Sequence, residues 1–251
     1  MRFSGKVALI TGSNSGIGRA TALAMAKEGA EGIVVHYSKN ENGAKETAEE
    51  IRKLGATALI VKADLRTGSE AKKLVDATIG EFGKIDILVN NAGMFDGFVP
   101  FCDQTEELWD HAFDLNVKGA FMCCKYAVPH MLEKKKGVII NIASAAGVEG
   151  GGGGAAYTCS KHAVIGLTMQ ITAELGRKGI RANTVCPGLI RTGMVEDLLN
   201  SPEFMDSING TPAGRVGEVE DTTKLILFLA SDDSSYMHGD TILIDGGLIV
   251  G

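Results

Sequence analysis

Short apolar runs alternate with helix-like stretches from one end of this chain to the other. That alternation restricts the possible folds more than any single motif does. The runs lie at 7–10, 32–36, 58–61, 85–89, 138–142, 181–185 and 241–244, and the helix-like stretches at 16–29, 42–54, 69–82, 105–131, 156–175 and 219–230. In 42–54, Ala44, Ala48, Ile51 and Leu54 share one helical face, and Gly55 ends the pattern. The 105–131 stretch is long enough that a break or bend is expected within it. Near-continuous apolar strands joined by helices imply a parallel sheet covered on both faces, a doubly wound α/β fold. No linker-like composition interrupts the 251 residues, so the whole chain, 1–251, reads as one domain.

A net charge of −6 argues against a nucleic-acid-binding surface. No apolar run approaches the roughly 20 residues needed to span a bilayer, and Met1 to Lys6 carries no signal-peptide pattern. The expectation is a soluble, cytoplasmic protein with neither nucleic-acid nor membrane partners. The five cysteines are odd in number and form no Cys-x-x-Cys pair. Neither a disulfide framework nor a metal site is expected. Cys159 stands two residues after Tyr157, near the expected site, and is given no nucleophilic role.

Thr11-Gly12-Ser13-Asn14-Ser15-Gly16-Ile17-Gly18 follows the first apolar run and opens the first helix. Glycines at these positions allow a tight turn and close backbone approach to a pyrophosphate, which the helix N-terminus favours electrostatically. The second run ends in His36-Tyr37-Ser38-Lys39-Asn40, without an acidic residue. A carboxylate there would accept from a ribose 2′-OH and repel a 2′-phosphate. Ser38 and Lys39, beside Tyr37, suit that phosphate, so NADP(H) is favoured and NAD(H) is the alternative. Asp64, next to Leu65 after the third run, can accept from an adenine amino group.

Tyr157 and Lys161 are four residues apart near the start of a helix-like stretch and share one face. A neighbouring ammonium favours the phenolate, so the pair can move a proton. Ser144 lies 13 residues before Tyr157, at the end of an apolar run. A glycine-rich nucleotide cradle together with this group points to a nucleotide-dependent oxidoreductase.

In order along the whole chain, these motifs resemble the short-chain dehydrogenase/reductase family. The matching residues are Gly12-x-x-x-Gly16-Ile17-Gly18, Asp64, Asn90-Asn91-Ala92-Gly93, Asn116, Ser144, Tyr157-x-x-x-Lys161, Pro187-Gly188, Thr192 and Asp245-Gly246-Gly247. The resemblance implies a Rossmann-type sheet of strand order 3-2-1-4-5-6-7 and a catalytic tetrad of Asn116, Ser144, Tyr157 and Lys161. It implies that Ser144 polarises a carbonyl and that Tyr157 gives or takes the proton. Lys161 would lower the tyrosine pKa and hold the nicotinamide ribose, while Asn116 positions a water. It further implies pro-S hydride transfer. Asn91, Ala92 and Gly93 would lie beside the adenosine, and Pro187, Gly188, Ile190 and Thr192 on the nicotinamide side, with Thr192 at the carboxamide. A homotetramer is the family expectation.

The expected substrate walls are Met94, Phe95, Phe98, Val99 and Phe101, with Val148 and the glycine run 150–154. A lid is expected over 189–212, carrying Met194, Leu198, Leu199, Phe204 and Met205. These apolar side chains suit a moderately hydrophobic ketone or secondary alcohol. Within the same class the pattern also resembles 3-oxoacyl-(acyl-carrier-protein) reductases, for which Lys134-Lys135-Lys136 and Arg177-Lys178 could face an acidic carrier. A dinucleotide-sensing regulatory protein is a non-catalytic alternative, and the intact tetrad argues against it.

Overall fold

The computed structural model describes residues 1–201, 205 and 208–250. Phe204 of the expected lid and Gly251 of the C-terminal tail lie outside these residues. Seven strands form one sheet: β1 Val7–Ile10, β2 Gly32–Tyr37, β3 Thr57–Lys62, β4 Ile87–Asn90, β5 Gly137–Ile142, β6 Ile180–Pro187 and β7 Thr241–Ile244. Their order is β3-β2-β1-β4-β5-β6-β7, and every neighbouring pair is parallel. The fold is a doubly wound, Rossmann-type α/β sheet, as the alternation predicts.

Side chains alternate across a strand, so each strand feeds two cores. Ala8, Ile10, Ile33 and Val35 pack with Met25, Ala48 and Ile51 on one face. Leu9, Val34, Leu88 and Ile139 pack with Leu74, Val75, Met131 and Ile171 on the other. The covering helices are α1 Gly16–Lys27, α2 Glu41–Lys53, α3 Gly68–Phe82, α4 Glu106–Ala112, α5 Ala120–Glu133, α6 Ala155–Leu175, α7 Glu196–Leu199 and α8 Val219–Ala230. β3 and β7 are the sheet's edges and are only partly covered.

Most expected boundaries fall within two residues of those observed, the usual uncertainty at element ends. The expected break in 105–131 is a π-helical segment, Phe113–Gly119, between α4 and α5. The start of the fourth strand moves to Ile87. Asp86 just before it accepts from the Val7 amide through its carboxylate at 2.8 Å, while its backbone bonds Val7 and Val138 on either side. The short helix α7 has too few residues for periodicity to reveal it. Chain order reverses between β1 and β4, which places a crevice at the carboxyl ends of those strands.

Candidate active site

The cleft at that crevice has a volume of about 580 Å³. One end begins at the loop between β1 and α1. Gly12 and Gly16 adopt φ of 66° and 53°, the left-handed region that glycine enters without steric cost. A Cβ at Gly18 would stand 2.5 Å from Asn91 Nδ2 and 2.6 Å from the Gly12 carbonyl oxygen. Asn91 in turn donates to the Thr11 carbonyl at 2.9 Å. Backbone therefore packs on backbone, and the amides opening α1 face the cleft. This cradle fits a dinucleotide pyrophosphate.

Gly12, Asn14, Ser15, Gly16 and Ile17 line the cleft. Three residues assigned to the cofactor from sequence do not. Ser13 is fully buried, donating to the Ile10 carbonyl at 2.7 Å and accepting from the His36 amide at 3.1 Å. Tyr37 is buried in the core between sheet and helices. Gly18 lies beneath the loop and shapes it through its missing side chain.

At the end of β2, where the sequence leads one to expect the adenosine, Ser38 and Lys39 are exposed on the cleft rim, and among the described residues Lys39 makes no ion pair. Asn40 caps α2 by accepting from the Gly43 amide at 2.9 Å. Asp64 and Leu65 also line the cleft. The Asp64 carboxylate is paired within its own loop. Arg66 Nε donates to it at 2.9 Å, and this hydrogen bond holds the carboxyl down at about 2. His36, not singled out in the sequence, joins three segments. Its Nδ1 accepts from the Gly12 amide at 2.9 Å, so Nε2–H donates to the Ala63 carbonyl at 3.0 Å. Burial pushes this imidazole down to about 4.

The other end of the cleft gathers Ser144, Tyr157 and Lys161 with Pro187, Gly188, Ile190 and Thr192. Ser144 follows β5, its hydroxyl accepts from the Ala146 amide at 3.2 Å, and it stands close enough to Tyr157 to favour the phenolate. Tyr157 and Lys161 project from the first turns of α6 and are buried. Lys161 Nζ lies 5.6 Å from the Tyr157 ring centroid and donates to the Ile142 carbonyl at 3.0 Å. Burial dominates both groups. It pushes the Tyr157 phenol up, against the opposing influence of Ser144, and the Lys161 ammonium down to about 8. The expected lowering of the tyrosine by Lys161 is not among the influences on Tyr157 in the protein alone, where the loss of water around the phenol is the largest.

Asn116 sits in the π-helical segment, a local widening that often marks functional positions. Its Oδ1 accepts from the Met94 amide at 2.8 Å, and its Nδ2 donates to Ser160 Oγ at 2.9 Å. It therefore ties the segment after β4 to α6. A Cβ at Gly93 would come within 3.1 Å of Asn116 Oδ1 and 3.4 Å of Lys161 Nζ, so this glycine keeps the floor of the cleft low. The thiol beside the tetrad is Cys186 at the end of β6. Burial pushes it up to about 11. Cys159 is exposed instead. His162, three residues after it, uses Nδ1 on the Thr158 carbonyl at 2.9 Å.

Of the expected walls, Met94 lines the cleft, and Phe95 packs edge-on to Tyr157 with centroids 5.0 Å apart. Phe101 is 83% exposed. Met194, in the expected lid, also lines the cleft.

A family model described as enoyl-(acyl carrier protein) reductase matches residues 12–249. The chain is 39% identical over 252 residues to a 3-oxoacyl-(acyl-carrier-protein) reductase of Thermotoga maritima, covering 100% of both. The chain belongs to the short-chain dehydrogenase/reductase family. Solved members of similar shape include levodione reductase, with a TM-score of 0.92, 34% identity and 100% coverage of both chains. Another is a gluconate 5-dehydrogenase from Burkholderia cenocepacia in complex with NADP and tartrate. It has a TM-score of 0.93 and 34% identity, covering 100% of this chain and 98% of that one. The chain is accordingly an oxidoreductase of the CH–OH/C=O class.

Proposed function

We propose that this short-chain dehydrogenase/reductase moves a hydride between NADP(H) and a ketone or secondary alcohol, with Tyr157 as general acid–base. The observation that carries this reading is that Tyr157, Ser144 and buried Lys161 line one end of a cleft that begins at the glycine loop. The loop residues 12 and 14–17 would hold the pyrophosphate. Ser38 and Lys39 would hold the 2′-phosphate, and Pro187, Gly188, Ile190 and Thr192 the nicotinamide side. When bound, NADP(H) supplies or accepts the hydride.

In reduction, the Ser144 hydroxyl polarises the carbonyl and Tyr157 gives its proton to the oxygen; oxidation reverses both roles. Lys161, charged on the acid side of about 8, stabilises the phenolate left behind. Asn116 holds the floor beneath them and serves the proton path to solvent. Lid and wall side chains such as Met94 and Met194 favour apolar substrate groups.

The Thermotoga relative favours a second reading, a 3-oxoacyl-(acyl-carrier-protein) reductase. The basic runs suggested for a carrier lie at the wrong end. Lys134–Lys136 precede β5 and Arg177–Lys178 precede β6, whereas the cleft opens at the far ends of those strands. At about 3.3 Å per residue, six residues of β5 separate the two by about 20 Å. Lys136 is also paired with Asp232 at 3.1 Å. We therefore place free carbonyl compounds first. A panel of ketones, sugars, steroids and β-ketoacyl thioesters, each assayed with NADPH and NADH, tests this. A β-ketoacyl thioester turned over far better than every free ketone would favour the second reading.

Among the described residues, no helix is long and apolar enough to cross a membrane. We propose a cytoplasmic homotetramer.

A further inference from the structure

The first turn of α6 carries Tyr157, yet its N-cap residue, Gly154, has no side chain with which to cap it. The opening amides of a helix have no intrahelical partners. Here they are met from the segment after β4. Asp96 accepts from the Gly154 amide through Oδ1 at 3.0 Å and from the Tyr157 amide through Oδ2 at 3.0 Å. The Gly154 amide also donates to the Gly97 carbonyl at 2.9 Å. Gln104 completes the set: its Oε1 accepts from the Ala156 amide at 3.4 Å, and its Nε2 donates to Asp96 Oδ2 at 3.3 Å and to the Val99 carbonyl at 3.2 Å.

Asp96 is 8% exposed, and among the described residues it forms no ion pair. A buried carboxylate is costly unless hydrogen bonds satisfy it, and bonds from helix-opening amides to an ionised acceptor are among the stronger ones. An exposed Ser or Asp at residue 154 would cap α6 without burying a charge. The present packing leaves no room for that without displacing both partners, since a Cβ at Gly154 would collide with the Gln104 carboxamide and stand 2.6 Å from Asp96 Oδ2. A Cβ at Gly153 would lie 2.7 Å from the Tyr157 ring and 3.0 Å from Phe95. These glycines let the substrate-wall segment close onto the start of the catalytic helix. Phe95, the neighbour of Asp96, rests its ring edge-on against Tyr157.

We propose that Asp96, seconded by Gln104, is a positioning residue for the general acid–base: it fixes the first turn of α6 to the segment after β4 and so aims the Tyr157 phenol at the substrate oxygen. The inference rests on the reading of Tyr157 as the proton carrier. It adds a residue that acts through the tyrosine backbone and joins the substrate wall to the proton donor.

The test uses the full-length protein with NADP(H), comparing Asp96→Ala, Asp96→Asn, Gln104→Ala and Tyr157→Phe. A small misplacement of a reacting group can cost about a hundredfold, so Asp96→Ala should lose roughly tenfold to a hundredfold in kcat with cofactor affinity little changed. Amide hydrogen exchange at residues 154–157 should quicken. Asp96→Asn keeps one acceptor and should recover part of the loss.

The pH profile of alcohol oxidation separates positioning from bulk stability. The groups facing the Tyr157 phenol are Asp96 from the segment after β4, Ser144 after β5, Cys186 on β6 and Lys161 on α6 itself. Removing the Asp96 charge favours the phenolate, so in Asp96→Asn the rise of the oxidation rate should move to lower pH. If Asp96→Ala fails to fold, Asp96→Asn and Gln104→Ala still carry the test. Parent-like kcat and an unmoved pH profile in Asp96→Asn, with Tyr157→Phe inactive, would overturn the positioning role alone. An active Tyr157→Phe would overturn both readings.

Discussion

The Gly12 amide donates to His36 Nδ1 at 2.9 Å, so a neutral imidazole pins the glycine loop to the end of β2. The opposite ring nitrogen reaches Ala63, immediately before Asp64. One side chain thus sets the spacing between the glycine loop and the Asp64 segment that line the cleft. Protonation would place an N–H where Nδ1 must accept.

That relationship makes the fold sensitive to acid. Burial holds His36 at about 4 in the folded protein, against 6.5 when unfolded. Between these values the unfolded chain binds more protons, so stability rises with pH. The contribution is complete above 6.5 and is lost as the pH falls towards 4. At about 1.4 kcal/mol per pKa unit, the loss is about 3 kcal/mol. His36→Asn can keep an acceptor near Gly12 but cannot titrate. Urea denaturation at several pH values should show a flatter acid limb in this variant; an unchanged limb would assign the sensitivity to other groups.

Tyr157→Phe should lower kcat by at least about 10²–10⁴-fold, the usual contribution of general acid–base catalysis. The ring and its edge contact with Phe95 survive the substitution. Cofactor affinity should therefore remain close to that of the parent, as measured by fluorescence titration. Near-parent turnover would remove Tyr157 from the mechanism.

NADPH should be preferred over NADH by about tenfold in kcat/KM. Lys39 stands at the cleft rim without an ion-pair partner among the described residues, and no acid ends β2. A charge-assisted hydrogen bond to a 2′-phosphate contributes about 1.5–3 kcal/mol, and each 1.4 kcal/mol is about tenfold. The double variant Ser38→Asp, Lys39→Ala should reverse the order. Comparing both cofactors against one accepted ketone decides the matter, and a native preference for NADH would refute the assignment of the β2 end.

In solution the protein should be a homo-oligomer, most simply a tetramer. Val250 in the apolar C-terminal tail is 84% exposed in the single chain, and Met169 on α6 is 55% exposed. Both would be covered by a second copy. Light scattering at micromolar concentration should report a multiple of 26.4 kDa. A monomer would leave these side chains in water and speak against the assembly.

The sequence by itself determined the sheet and singled out the positions proposed as catalytic. Apolar runs of strand length, separated by helical periodicity, leave few packings besides a parallel sheet. A strand-turn-helix glycine pattern and the Tyr157–Lys161 spacing are local, so the chain displays them directly. Asn116 was legible only through resemblance to a family, since an asparagine within a helical stretch carries no local signal. The tertiary structure alone decided what lies between these landmarks. Ser13 and Tyr37 turn inward because the loop and β2 pack against the core. Arg66 occupies the Asp64 carboxylate, and Cys186 rather than Cys159 lies beside the tetrad. Asp96 reaches the amides of Gly154 and Tyr157 across 58 and 61 residues of chain. Such contacts join segments far apart in sequence, and neither periodicity nor spacing encodes them. They form only when burial brings those segments together, and the cost of leaving a polar group unpaired then selects the partners.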